Sequence, residues 1–172
     1  AIRLGQTYAT ANEILNPSFA SGLTSWTTAA AGITTGVTEN LYEGAEYIQG
    51  NDADFEIYQD VTPNTGWQAG SIAHLEVAVM CAEATPTDTA EIVVEARNAG
   101  GLLTSATTGA FAPTTQNVWQ RKTVVLALPF NTTTVRVRRI GTAVGDSVCD
   151  IAYDDVILFV HKQLEPLWSL EA

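Results

Sequence analysis

Residues 71–82 read SIAHLEVAVMCA, and this stretch decides the fold. Its odd-numbered positions from 73 onward are apolar: Ala73, Leu75, Val77, Val79 and Cys81. A period of two is that of a β-strand, because successive side chains of a strand point to opposite faces. We therefore predict a strand with one buried face. The residues predicted for its opposite, wetter face are His74, Glu76, Ala78 and Met80.

The same period of two recurs along most of the chain. The clearest further strands are Ala90–Arg97 and Thr133–Arg139, and turn residues such as Pro63-Asn64-Thr65-Gly66 separate the runs. Strands joined by short polar connections predict an all-β fold, an antiparallel β-sandwich. The other candidate strands are Phe55–Val61, Val118–Leu128, Cys149–Val160 and, more weakly, Glu46–Gln49. The residues expected to face the interior include Val77, Val94, Val135 and Ile157.

The length of 172 residues suits one such domain. We divide it into an N-terminal arm (1–15), a sandwich (16–160) and a C-terminal tail (161–172). No apolar run reaches the roughly 20 residues that span a bilayer. The first residues lack the pattern of a signal peptide, so we expect a chain that is made in the cytoplasm or already processed. The apolar tail residues are candidates for contact with a partner, and they are Leu164, Leu167 and Trp168.

The formal net charge of −11 argues against nucleic acid and anionic membranes as partners. The charge is uneven: residues 1–90 carry 11 acidic side chains and one basic side chain, whereas residues 91–172 carry 8 and 7. Arg136 and Arg138 are predicted to point outward. They could pair with acidic residues on a neighbouring strand, or with the acidic half of another copy.

The sequence contains few arrangements of residues that could catalyse a reaction. His74 and His161 are far apart in the sequence, and no nucleophile elbow of the form GxSxG is present. Cys81 and Cys149 have no zinc-type spacing and lie in apolar strands, so we expect buried free thiols, with a disulfide as the alternative. We therefore predict that the protein is not an enzyme.

An ordered set of residues resembles the carbohydrate-binding modules of families 4 and 9, which are galactose-binding-like jelly rolls. The opening 16–19, Asn-Pro-Ser-Phe, followed by Gly22 and Trp26, is similar to the start of these modules. Residues 57–61 and Trp119 look like later segments, and 152–158, AYDDVIL, looks like their closing strand. The match spans residues 16–160 and implies a jelly roll. From their chemistry, Asn16 should hydrogen-bond nearby backbone, and Phe19 and Trp26 should anchor the core.

The resemblance also raises the question of calcium. Many members of these families hold a structural calcium between a Glu that follows the Phe of the opening and the closing Asp. Here that position is Ala20, which removes one carboxylate. The remaining candidate metal ligands are Asp154, Asp155 and backbone carbonyls, for an ion that takes about six to eight oxygens. The alternative is that one Asp faces solvent and the other accepts hydrogen bonds. We expect no cofactor other than this one candidate ion.

Sugar binding, which the resemblance implies, requires exposed aromatic rings flanked by polar side chains. Tyr58 shares its strand face with Asp54, Glu56 and Asp60, so we predict that it points outward. Core or loop packing is the alternative for each aromatic residue. The candidate carbohydrate-binding residues are Tyr58, Trp67, Trp119, Gln59, Arg136 and Arg138.

Two functions agree with these observations. A lone jelly roll with an arm at each end favours a structural accessory on a virion surface, such as a phage capsid decoration (cement) protein or a tail-associated protein. Its partners would be other subunits of the particle, in an oligomer. The alternative is a secreted or displayed carbohydrate-binding module that targets a polysaccharide or a cell-surface glycan. Jelly rolls of this type also occur on virions, so the two are compatible by analogy.

Overall fold

Within the described residues, ten strands form two five-stranded sheets. The computed structural model describes residues 12–28, 33–37, 47–50, 54–62, 70–145 and 149–161. The strands are β1 Thr27–Thr28, β2 Ile33–Val37, β3 Tyr47–Gly50, β4 Asp54–Val61, β5 Ile72–Cys81, β6 Thr89–Asn98, β7 Gly101–Thr107, β8 Gln120–Ala127, β9 Thr134–Thr142 and β10 Ile151–His161.

The strand order makes the fold a jelly roll. The first sheet has the order β1-β4-β9-β6-β7, and the second has the order β2-β3-β10-β5-β8. Neighbouring strands are antiparallel, and the chain crosses between the sheets at every connection except those from β2 to β3 and from β6 to β7. The predicted antiparallel jelly-roll β-sandwich is therefore confirmed.

The core lies between the two sheets, where alternate side chains of both inner faces meet. Val77 of β5, Val94 of β6 and Val135 of β9 have no exposed surface, as the alternation predicted. Burial of these β-branched side chains removes apolar area from water, at roughly 25 cal/mol per Å², and is the main favourable term in folding. The predicted strand Ser71–Ala82 forms as β5, at the centre of this core.

The last strand departs from the simple alternation. Ile151 and Tyr153 of β10 face the core, but so do Val156 and Leu158, so the inward side changes from odd to even positions. The pairing register with β5 shifts between Asp154 and Ile157, which marks a β-bulge. Ile157, predicted to be interior, is consequently half-buried on the outer face.

The outer faces of the sheets are also less exposed than predicted. Ala78 and Met80 of β5 point away from the core, yet they are fully buried. Trp119 packs against a small cluster formed by Met80 and Ala152. The prediction that Ala78 and Met80 face water is wrong, because side chains outside the sheet cover this end of it.

The segment before β1 is part of the sandwich. Ile14 is buried in the core, and the backbone of Glu13 donates to Leu158 of β10. Glu13 and Ile14, at the end of the predicted N-terminal arm, therefore contact the sandwich, and the division at residue 16 stays a prediction. Phe19 and Trp26 are buried with their ring centroids 5.5 Å apart, which confirms them as core anchors.

The described residues contain no helix that is long and apolar enough to cross a membrane.

Candidate functional site

The outer face of the first sheet carries a set of paired charges that we call the arginine ladder. It consists of Arg97, Arg136 and Arg138 with the carboxylates of Glu56, Asp60 and Glu95. These residues come from three neighbouring strands, β4, β9 and β6. They share one face because Asp60 lies opposite Arg136, and Arg136 lies opposite Glu95, in the pairing register.

The pairs in the ladder are bidentate or shared. Arg136 donates from Nε and Nη2 to the two oxygens of Asp60, each at 2.7 Å. Arg138 donates to both oxygens of Glu56 at 2.8 and 2.9 Å, and from its third nitrogen to Glu95 at 2.8 Å. Arg97 donates to the other oxygen of Glu95 at 2.6 Å. Such two-point pairs hold the guanidinium planes in fixed orientations.

The ladder also determines the protonation of its members. The hydrogen bond from Arg136 is the main reason that the pKa of the Asp60 carboxyl lies below its usual value. The hydrogen bonds that Arg138 donates to Glu56 and Glu95 likewise raise its pKa, and the bond that Arg136 donates to Asp60 raises the pKa of Arg136. Arg136 and Arg138 are thus charged at neutral pH, and all three arginines of the ladder are paired within the chain.

Tyr58 lies in the middle of the ladder. It stands on β4 between Glu56 and Asp60, half-buried, as the predicted outward orientation requires. The guanidinium carbon of Arg136 lies 4.0 Å from the centroid of its ring, a cation–π contact. The arrangement places an aromatic ring, a fixed guanidinium and the carboxylate of Asp60 side by side on one sheet face.

Gln59 does not belong to this face. Its side chain points inward and is only 4% exposed. The amide accepts a hydrogen bond from the backbone of Leu15 and donates to the carbonyl oxygens of Leu15 and Ser25, at 2.8 to 3.0 Å. Gln59 was predicted as a sugar ligand, but its hydrogen-bonding groups tie β4 to the segment before β1. We therefore remove it from the candidate set.

Trp119 is separated from Tyr58 by the thickness of the sandwich. It lies just before β8, against Met80 and Ala152 on the outer face of the second sheet. Of the candidate aromatic residues, Tyr58 and Trp119 therefore do not share a platform. Trp67, the third of them, and the tail residues Leu164, Leu167 and Trp168 lie outside the described residues.

The outer face of the second sheet has a polar cluster of its own. His74 lies 3.2 Å from Glu76, which also contacts Arg121, and Arg121 binds Asp155. The ring of His161 packs edge-on against that of His74, with 6.2 Å between centroids. Two histidines that are distant in the sequence are thus adjacent in the fold, because β5 and β10 are paired.

Sequence reasoning missed one exposed aromatic residue, Phe130. It lies in the turn between β8 and β9 and is 87% exposed. Thr133, three residues later, donates from its backbone to the carbonyl of Arg97. Phe130 therefore lies at the end of the first sheet where Arg97 and the Asp60–Arg136 pair are found. Its position directly after Pro129, in a polar turn, is the sequence signal that marks it as a turn residue.

The candidate calcium ligands are both engaged with other groups. Asp154 is fully buried, and one of its oxygens accepts a hydrogen bond from the backbone of Asp155. Asp155 has a positive φ of 41°, at the bulge, and its carboxylate binds Arg121. In the opening segment, the Asn16 amide donates to the carbonyl oxygens of Gly22 and Thr24. This last contact confirms the expected backbone role of Asn16.

Cys81, Glu83 and Asp88 bring three potential metal-ligand atoms within 4.8 Å of one another. The carboxylates already have structural roles: Asp88 accepts hydrogen bonds from the backbones of Val144 and Asp150, at 2.9 and 2.6 Å. Glu83 accepts a bond from the backbone of Thr87 at 2.7 Å. These bonds fasten the start of β10 to the turn before β6, which accounts for the cluster without an ion.

Both cysteines are free and buried, as expected. Burial raises the pKa of the Cys81 thiol to about 11 and that of Cys149 to about 12. A thiol with such a pKa is protonated at neutral pH and is a poor nucleophile.

Comparisons with known proteins agree with the fold. No protein-family model and no curated protein matches the chain. Among solved structures, a family 61 carbohydrate-binding module, TmCBM61 in complex with β-1,4-galactotriose, is similar over 87% of this chain and 99% of that one, with a TM-score of 0.63 and 15% identity.

Two further structures show how widely the fold is used. The structure of the enzymatically active domain of tailspike protein 4 from bacteriophage CBA120 is similar over 87% of this chain but only 21% of its own chain, with a TM-score of 0.65 and 16% identity. A Stig cyclase from Fischerella sp. TAU matches over 92% and 100%, with a TM-score of 0.63 and 13% identity. The chain has the jelly-roll fold of carbohydrate-binding modules, and an enzyme shares that fold, so function must be argued from the site.

Proposed function

We propose that the chain is a non-catalytic carbohydrate-binding module and that the arginine ladder is its sugar-binding face. The observation that supports this proposal is the group formed by Tyr58, Arg136 and Asp60. A sugar ring presents an apolar C–H face and a rim of hydroxyl groups. An aromatic ring beside fixed donors and acceptors matches both features on one flat surface.

The fixed geometry of the ladder favours binding. The guanidinium groups of Arg136 and Arg138 are each held at two points by a carboxylate, so little side-chain freedom remains to be lost when hydroxyl groups bind. Each carboxylate oxygen still has acceptor capacity beyond its bond to arginine. The face can therefore donate and accept hydrogen bonds without rearrangement.

The charge balance of the ladder favours a neutral glycan. Its three arginines are matched by three carboxylates, and Glu95, which bridges Arg97 and Arg138, has a side chain only 6% exposed. An anionic sugar would have to compete with these carboxylates for the guanidinium groups. We therefore propose a neutral polysaccharide as the ligand and expect uronate or sulfated polymers to be rejected.

Native gel electrophoresis of the full chain in gels that contain dissolved polysaccharide tests the proposal. Neutral polymers such as galactan and xylan should retard the protein, and polygalacturonate should not. Retardation by the anionic polymer alone, abolished by salt, would contradict the neutral ligand but leave glycan binding in place. Migration unchanged by every polymer of the panel would overturn the proposed function.

A second candidate is a structural accessory on a virion surface. The observation that favours it is the likeness to part of a phage tailspike chain, of which this chain covers about a fifth. In that setting the tail residues 161–172 would contact neighbouring subunits. Removal of residues 163–172 should then abolish attachment to the particle while the isolated chain remains folded. Attachment that survives the truncation would contradict this role for the tail.

A further inference from the structure

Arg139 is the largest fully buried side chain of the described residues. It belongs to β9, where it lies opposite Ile57 of β4 and Ile92 of β6, and it shares the inward parity of Val135 and Val137. The guanidinium therefore extends into the apolar core. Its three nitrogens have no hydrogen-bond partner among the described residues.

Three aromatic rings surround this guanidinium. Its central carbon lies 4.0 Å from the ring centroid of Trp26, 4.8 Å from that of Phe19 and 5.6 Å from that of Tyr153. The first two rings belong to the opening segment before β1, and the third belongs to the closing strand β10. Arg139 thus joins two parts of the chain that are far apart in sequence. Cation–π attraction is strongest in such a desolvated site.

Desolvation is the main influence on the pKa of Arg139, and the acidic residue Asp154 opposes it. This carboxylate is fully buried on β10, next to Tyr153, and its electrostatic attraction favours the charged guanidinium. Desolvation acts in the opposite direction and lowers the pKa of Arg139 to about 9, which leaves the side chain protonated at neutral pH. The core therefore contains one buried guanidinium inside a cage of aromatic rings.

A calcium ion at the same place would lack ligands. Asn16 already donates to the carbonyls of Gly22 and Thr24, and Arg121 binds Asp155. Asp154 is the remaining carboxylate of the set proposed from the sequence, and one of its oxygens accepts a hydrogen bond from the backbone of Asp155. A divalent ion takes about six to eight oxygens, and a second cation near a buried guanidinium would be repelled strongly. The donors present do not fit the ion.

We propose that Arg139 is the internal cation that ties the opening segment to the closing strand, and that it replaces calcium in this chain. The arginine holds Phe19 and Trp26 against β10, the two regions between which the sequence resemblance implies a calcium ion. This proposal concerns stability and metal dependence, so it is independent of the sugar-binding function.

The metal dependence is tested by thermal unfolding of the full chain, measured once with about 5 mM EDTA and once with the same concentration of calcium. The two midpoints should agree, and titration calorimetry should detect no calcium binding. A midpoint that rises with calcium, and a calorimetric signal for one bound ion, would overturn the proposal.

Substitution tests the role of the charge. Arg139→Met keeps most of the side-chain volume and removes the charge, and it should lower the midpoint by about 10 °C or more, or prevent folding. Arg139→Lys keeps a cation in the cage and should retain more stability than the Met variant. Arg121→Met, which removes a half-exposed arginine, is the matched control and should have a small effect. A Met variant at position 139 as stable as the Lys variant would contradict the proposal.

Discussion

Arg136 binds Asp60 through two parallel hydrogen bonds of 2.7 Å across the neighbouring strands β9 and β4. The two residues are 76 positions apart in the sequence and lie directly opposite each other in the sheet. This pair joins residues 91–172, which carry seven of the eight basic side chains, to the strongly acidic residues 1–90. The uneven charge seen in the sequence therefore has an explanation within the fold, and the arginines of the ladder do not require another copy as partner.

The Asp60–Arg136 pair should be sensitive to acid. Because the pKa of Asp60 is lowered from 3.8, its contribution to stability is full above that value and is lost as the pH falls below about 4 toward the lower folded-state pKa. Asp60 is 42% exposed, so screening by solvent keeps the contribution within about 0.2–1 kcal/mol. NMR titration of the Asp60 carboxyl carbon checks this, and a midpoint at or above 3.8 would contradict it.

Gln59→Leu should lower the free energy of unfolding by about 1–3 kcal/mol, because the backbone groups of Leu15 and Ser25 lose their buried partner. Glycan binding should remain at the wild-type level, since Gln59 points away from the ladder. Urea denaturation and gel retardation measure the two effects. Gln120→Leu, which removes a longer, exposed bond of 3.3 Å to Thr114, is the control. A stable variant that has lost binding would restore Gln59 to the site.

Gly141→Ala should destabilise the protein by about 1–3 kcal/mol. A Cβ at this position would lie 2.1 Å from Cε1 of Phe55, a buried ring that packs against Tyr153. Gly100→Ala is the control, because its Cβ would meet only the side-chain oxygen of Asn98, at 3.1 Å. Denaturant titration compares the two variants. Equal midpoints would show that the core around Phe55 has room that the structure does not indicate.

The two thiols should be unreactive in the folded protein. Burial raises their pKa values to about 11 for Cys81 and about 12 for Cys149. Neither thiol is therefore ionised at a pH of about 8, which is near the ordinary pKa of a thiol. A thiol-specific colour reagent should react with neither cysteine in native buffer and with both in denaturant. Reaction of either thiol without unfolding would contradict the described burial. Two unreactive sulfurs in denaturant would indicate a disulfide.

Alternation in the sequence was sufficient to predict the fold. The strands β4, β5, β6 and β9 keep one inward parity throughout, and Val77, Val94 and Val135 are buried as that parity requires. Alternation was insufficient to predict β7, Gly101–Thr107, because its apolar residues do not alternate and Leu102 is 54% exposed. An edge strand buries little, so it leaves little pattern.

The parity of β10 could not be read from the sequence. The bulge at Asp154 and Asp155 places one extra residue in β10 relative to its partner strand β5, and this turns Ile157 outward. Both faces of the strand are apolar near this point, so the pattern fits either orientation.

The inward position of Arg139 was missed for a different reason. Its side chain lies on the same face of β9 as that of Val137, but a charged residue is rarely expected in the core. The three rings that accept it come from distant parts of the chain.

The candidate site was predicted only in part. Tyr58, Arg136 and Arg138 were placed outward by alternation, and the structure brings them together because β4 and β9 are neighbours in the first sheet. Trp119 lies beside the second sheet, and without the strand order it could not be assigned to one sheet or the other. Phe130 escaped notice because a single aromatic residue in a turn has no periodic pattern.

The aromatic residues near the ladder should contribute directly to glycan binding. Phe130→Ala should weaken retardation by a neutral polysaccharide without changing the unfolding midpoint, because the ring is 87% exposed. Pro129→Ala in the same turn is the control for a change in backbone conformation. An unchanged affinity in the Phe130 variant would restrict the site to the ladder itself.

Titration calorimetry of Tyr58→Ala with a neutral oligosaccharide from the polymer that binds is the most direct test of the sugar-binding face. Val125→Ala, at a position 51% exposed on the outer face of the second sheet, is the matched control. Loss of the ring should weaken binding at least about tenfold, or about 1.4 kcal/mol, while the control binds as the wild type does. Wild-type affinity in the Tyr58 variant, or equal losses in both variants, would contradict the assignment of the arginine ladder as the binding face.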